Sequence, residues 1–221
     1  MSPSDTTPRY TVPGLGARQG GQVIDLLKLR LHALNDLSLT LKHIHWNVVG
    51  PHFIAVHEML DPQAAAVRGM ADSTAERIST LGGEPHGTPG VLVSERTWDD
   101  YGLGRAGALV HLGALDLVYS GVIEDHRKAA AKAASVDPVT EDLLIEHLRA
   151  LEQFQWFVRA HLEDSSGTLS RAGARAGKET AEAAPPPKAA GKKAAGTKVT
   201  GTKATGTKRA AKKTASGKRA R

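Results

Sequence analysis

The stretch from residue 53 to residue 81 places His57, Asp61, Asp72 and Glu76 on one stripe of a helix. At about 100° per residue, and with His57 as zero, Asp61 falls near ~40°, Asp72 near ~60° and Glu76 near ~100°. Carboxylates and imidazoles crowded on one face are costly unless a cation neutralises them. The pattern points to a metal. Asp61 and Asp72 are three turns apart, roughly 16 Å along the axis. Carboxylate–metal bonds are about 2 Å long, so both residues cannot serve one centre within one chain. A single copy therefore supplies two half-sites, His57 with Asp61 and Asp72 with Glu76.

Two copies of this helix packed antiparallel about a two-fold axis bring each half-site against the complementary half of its mate. The axis then crosses near residues 66 and 67, within Gln63-Ala64-Ala65-Ala66-Val67-Arg68-Gly69. Small side chains there permit the close approach that an isologous dimer needs. Arg68 shares the stripe and faces either a carboxylate across the axis or solvent. The competing reading is a solvated polar stripe without metal. It accounts for any single i, i+4 acidic pair, but poorly for all four residues together with His45-Trp46 upstream.

The stripe sits among four helical segments. Val23, Leu27, Leu31, Leu34, Leu37, Leu41 and Ile44 follow helical spacing over about 21–48, and Gly50-Pro51 ends that run. The second helix covers about 53–81 and stops at Gly82-Gly83. Residues 82–104 contain Pro85, Pro89 and several glycines, and read as a long crossover with a short helix expected at Thr97-Trp98-Asp99-Asp100-Tyr101. A third helix spans about 105–134. Pro138 opens the fourth, about 138–164, with Leu144, Leu148, Leu151, Phe154 and Val158 on one face. No strand pattern stands out. The expected fold is all-α: a four-helix bundle over 21–165, with a crossover carrying a short extra helix. A Pro/Gly/Ser/Thr-rich arm (1–20) precedes it, and a disordered basic tail (166–221) follows.

The run His45-Trp46-Asn47-Val48-Val49-Gly50-Pro51-His52-Phe53-Ile54-Ala55-Val56-His57-Glu58-Met59-Leu60-Asp61, followed by Asp72 and Glu76, resembles the ferroxidase segment of the Dps family. These are the DNA-binding proteins from starved cells, a branch of the ferritin-like superfamily. The resemblance covers about residues 20–165, including Leu151-Glu152-Gln153-Phe154-Gln155-Trp156-Phe157. It is nearest to actinobacterial members with a basic C-terminal tail. It implies a ferritin-like bundle assembled into a hollow homododecamer, with di-iron ferroxidase centres at two-fold interfaces. It also implies oxidation of Fe(II), preferably by hydrogen peroxide, and storage of a ferric mineral. Carried over by position, His45, His57 and Asp61 come from one subunit, and Asp72 and Glu76 from its two-fold mate. The spacing argument reaches the same dimer independently. Ordinary ferritins instead build the di-iron site inside one bundle from Glu-x-x-His motifs. No Glu of this chain has a His three residues later.

The chain contains no Cys, which removes disulfides and thiolate metal sites, and its oxygen and imidazole donors suit iron. No apolar run reaches membrane length, and the N-terminus lacks a basic-then-apolar signal pattern; a cytoplasmic, nucleoid-associated protein is expected. The net charge of +6 hides a division. From Gly167 onward there are 15 Lys and Arg against two acids, a surplus of 13, while the other 14 basic and 21 acidic residues leave the body at −7. Gly-Thr-Lys recurs with a five-residue period at 196–198, 201–203 and 206–208. The candidate DNA-binding cations are Lys188, Lys192, Lys193, Lys198, Lys203, Lys208, Arg209, Lys212, Lys213, Lys218, Arg219 and Arg221. Flexible cations release counterions from phosphates. No aromatic residue follows Phe157, so base stacking is absent and binding should ignore sequence.

Trp46, beside His45, is a candidate electron donor, although burial in the core is the simpler account. His43 lies about 200° from His45 on the helix and is not assigned as a ligand. His32, His111, His126, His147 and His161 receive structural or surface roles. Asp116, Glu124 and Asp125 are candidates for an acidic pore, or for a solvated acidic face. Two other functional readings compete: a structural nucleoid protein whose metal site is idle or holds zinc, and an iron-storage cage that does not bind DNA.

Overall fold

A computed structural model describes residues 8–170. Within it α1 spans Ala17–Asn47, α2 Phe53–Thr80, α3 Pro89–Glu95, α4 Ala108–Ala133 and α5 Pro138–Leu162. Short connections at 48–52 and 134–137 fold α1 with α2, and α4 with α5, into two helical hairpins. The hairpins close on one core. Leu27, Leu34, Leu41 and Ile44 from α1 are fully buried with Leu60 and Ile78 of α2, Leu112 and Leu115 of α4, and Leu144 and Leu151 of α5. Burying a Leu or Ile side chain contributes roughly 1.5–3 kcal/mol, so these stripes dominate what holds the bundle. Inside the core the Tyr119 hydroxyl donates to Gln63 Oε1 at 2.7 Å, tying α4 to α2.

Two glycines shape the turns. Gly50, at φ 99°, reverses the chain between α1 and α2. Gly82, at φ 82°, ends α2, and a Cβ there would lie 2.1 Å from the Tyr10 carbonyl oxygen. Only Gly tolerates both demands. Pro62 lies inside α2. Its nitrogen has no hydrogen for the Glu58 carbonyl, so the helical ladder has a gap one residue after Asp61.

The structure differs from the sequence expectation at three points. The short crossover helix is α3, at Pro89–Glu95, rather than at 97–101. Pro89 starts it at the position where a missing N–H costs nothing. Trp98 is held outside any helix by its indole N–H, which donates to Asp36 Oδ2 at 2.7 Å. α1 begins at Ala17, four residues before the expected 21. There is also a two-residue parallel pairing, β1 (Val48–Val49) with β2 (Ala106–Gly107), in the register Val48↔Ala106 and Val49↔Gly107. It stitches the end of α1 to the start of α4. The twelve candidate DNA-binding cations from Lys188 to Arg221 lie outside the described residues. Among the described residues no helix is long and apolar enough to cross a membrane.

Candidate metal centre

The last turn of α1 carries His45, and the start of α2 carries His57 and Asp61. The Gly50 turn folds these segments against each other. The two imidazoles stack, with ring centroids 3.6 Å apart and planes at 20°. Each ring is pinned by the other's backbone: His45 Nδ1–H donates to the His57 carbonyl, and His57 Nδ1–H to the His45 carbonyl, both at 2.9 Å. A carbonyl accepts only from a protonated nitrogen. The reciprocal bonds therefore leave each Nε2 as the ring's lone-pair donor when neutral, the usual way a metal-binding His is oriented. Phe53, in the first turn of α2, leans on His57 at 4.9 Å between centroids.

Asp61 lies 3.4 Å from His45 Nδ1, and Lys42 Nζ donates to it at 2.6 Å. The hydrogen bond from Lys42 holds the Asp61 carboxyl below its usual range, and His45 adds a smaller effect. Lys42 also sits 5.7 Å over the Trp46 ring. Sequence reasoning missed Lys42. The signal was present: it stands three residues before His45, on the same face of α1.

Asp72 and Glu76 are exposed on α2, and neither side chain has a hydrogen-bond or ion-pair partner among the described residues. Asp61, Ala65, Arg68, Asp72 and Glu76 form one exposed stripe. His45 lies against both His57 and Asp61, yet among the described residues of one protomer no three metal-ligating side chains converge as a metal site. The Asp72/Glu76 pair stands apart on the same exposed stripe as Asp61.

The remaining candidates are placed as follows. Trp46 is 70 % exposed, not in the core. It lies about 200° around α1 from the fully buried Ile44, which puts it on the outer face. His43 Nε2 pairs with the Leu103 carbonyl at 2.7 Å, away from the cluster. Asp116 is held by Arg159 at 2.7 Å and by the Gln155 amide at 2.8 Å. Asp125 pairs with Lys128 at 3.0 Å, and Glu124 is exposed. His111, His126 and His147 are buried, and His161 caps its own helix by bonding to the Phe157 carbonyl at 2.8 Å.

Residues 24–167 match the ferritin-like domain family. The chain is 56% identical over 175 residues to the "DNA protection during starvation protein" of Mycolicibacterium smegmatis, an alignment covering 79% of this chain and 96% of that one. The chain belongs to the Dps branch of the ferritin-like proteins. The Dps protein DpsA14 from Streptomyces coelicolor superposes with a TM-score of 0.74 at 66% identity, covering 76% of this chain and 99% of that structure. A relative called "Fine tangled pili major subunit", from Haemophilus ducreyi, is 51% identical over 72% of this chain and 85% of its own length. The Dps-type fold and the expected all-α bundle agree.

Proposed function

We propose that this Dps-family protein oxidises Fe(II) at sites shared between two-fold-related copies and stores the ferric product inside a homo-oligomeric cage, a dodecamer. His45, His57 and Asp61 of one copy bind Fe(II) together with Asp72 and Glu76 of the other. The observation that carries this reading is the split along α2: His57 and Asp61, gathered with His45 of α1, at one end, and an acidic pair without a partner among the described residues three turns beyond Asp61 on the same exposed stripe. Leu39 and Trp46 on α1 and Ile54 on α2 are exposed apolar residues of the two helices that carry the cluster, and packing against a second copy would cover them.

In this scheme Fe(II) is the substrate. The carboxylates compensate its charge and the two neutral imidazoles donate from Nε2. Two Fe(II) ions give one electron each to one hydrogen peroxide, which takes up two protons and leaves as two waters. Pairing the electrons avoids release of hydroxyl radical. The protein supplies ligands and spacing, while the redox chemistry belongs to the iron. In the same reading Trp46, exposed and next to His45 in the chain, supplies an electron to a stray oxidant. The cationic residues from Lys188 to Arg221 bind DNA phosphates without reading sequence, and several tails per cage add avidity.

Stopped-flow oxidation of Fe(II) tests the proposal. Peroxide should accelerate the reaction in the intact chain, and Asp61→Asn or Asp72→Asn should abolish the acceleration. Equal rates in all three proteins would leave a structural nucleoid role in its place.

A further inference from the structure

α1, α4 and crossover residues 98–103 enclose a partly open cavity of about 370 Å³. Its walls are mainly apolar, with Ala33, Leu37, Ala114, Leu117 and Val118 among them. Arg30 lines it and is only 6 % exposed. Among the described residues the guanidinium has one ion pair, a long one of 3.7 Å from Nη2 to Asp125, and Nη1 has no hydrogen-bond partner. A buried cation with one distant counter-charge and an open donor is costly for a fold to keep.

The acids around the cavity do not meet that need. Asp36 accepts the Trp98 indole N–H and lies 3.8 Å from Arg96. Asp100 takes Arg96 at 3.2 Å, Asp99 is exposed, and Asp125 is shared with Lys128. Asp99, Asp100 and Asp125 are open to water, which screens them, and Asp36, 20 % exposed, is engaged by Trp98 and Arg96. Arg30 is the most buried charged side chain of the lining and keeps an open donor.

We propose that this cavity binds a small amphipathic monocarboxylate, its carboxylate on Arg30 and its compact apolar body between α1 and α4. The volume lies within the range of small-molecule sites, and Trp98 and Tyr101 are aromatic residues of the lining. Arg30 stands fifteen residues before His45 on α1, roughly 22 Å along the axis, so the site is separate from the metal cluster.

Isothermal titration of the full chain with naphthalene-2-carboxylate and with 2-naphthalenemethanol tests the assignment. The acid should bind saturably, one per subunit, and the alcohol about tenfold more weakly, because only the acid makes a charge-assisted bond. Arg30→Met should bring the acid down to the level of the alcohol. Removing an under-compensated buried charge is not expected to unfold the bundle. Gly121→Leu should abolish binding of both ligands: Gly121 lines the cavity, and a Cβ there meets no atom within 4 Å, so a side chain can be added at the cavity wall. Absence of saturable binding, equal binding of acid and alcohol, or binding untouched by Gly121→Leu would each overturn the proposal. So would a change in oligomer mass in Gly121→Leu, which would make the cavity a contact between copies of the chain.

Discussion

Lys42 Nζ lies 2.6 Å from Asp61 Oδ1, so the carboxylate beside His45 already has a tethered cation. A metal entering the cluster must displace that ammonium. Lys42→Met should therefore tighten Fe(II) binding, measured anaerobically by titration calorimetry, by about two- to fivefold, the range expected for a partly exposed ion pair. Unchanged or weaker binding would show that Lys42 does not compete with the metal.

Sharing of the site between copies has a genetic signature. Take one chain carrying His57→Ala and another carrying Asp72→Ala, each inactive alone. In a mixed two-fold dimer both substitutions fall in one site and the other site is intact. Random co-assembly makes half of the dimers mixed, so about a quarter of the peroxide-dependent activity should return. A mixture as inactive as its parents would place the site within one subunit.

Two buried histidines make the fold sensitive to acid. Burial, with a smaller contribution from the nearby Arg30, pushes His126 down to about 3, and burial pushes His147 down to about 4. Their rings lie 6.2 Å apart, and Ser73 Oγ is 3.1 Å from His147 Nε2. Folded, both stay neutral at pH 5; unfolded, both protonate below about 6.5. The unfolded chain then binds more protons, so stability falls as pH drops from about 6.5 toward 4. The slope for two such groups is about 2.7 kcal/mol per pH unit, and above pH 7 they contribute none. Urea denaturation between pH 7 and pH 5 should show this decline, and His126→Gln with His147→Gln should flatten it.

The basic tail should govern DNA affinity. Truncation after Gly167 removes 15 Lys and Arg. Gel shifts of the intact chain over a salt series should give a steep log–log slope, and the truncated chain should give one near zero. Matched duplexes of different sequence should bind alike. Equal retention of both proteins would assign any DNA contact to the body.

The bundle was legible in the sequence because each long helix keeps one apolar stripe. Leu34, Leu41, Leu144 and Leu151 are core residues as their spacing required. The Gly50 and Gly82 stops are equally local in origin. The His57, Asp61, Asp72, Glu76 stripe was readable for the same reason, since angular position on a helix follows from residue number alone. What escaped depended on partners distant in sequence. Trp98 looked helical beside its neighbours, yet Asp36, 62 positions earlier, fixes it in a loop. β1 and β2 are two residues each, too short to show the alternation that marks a strand. Trp46 is a different failure: its helical phase relative to Ile44 placed it outside, and its hydrophobicity suggested otherwise. The reciprocal backbone bonds of His45 and His57 needed the turn between them to be folded.

The exposed stripe on α2 also makes that helix a ruler. Eleven residues from Asp61 to Asp72 are close to three full turns, which keeps both carboxylates in phase on the open side. One inserted residue between them would swing everything beyond it by about 100°, carrying Asp72 and Glu76 off that face and turning the buried Ile78 out of the core. Length variation in this segment is therefore far more damaging than substitution. The tolerated steps are near-integral numbers of turns, and even those reset the distance between the two halves of the ligand set.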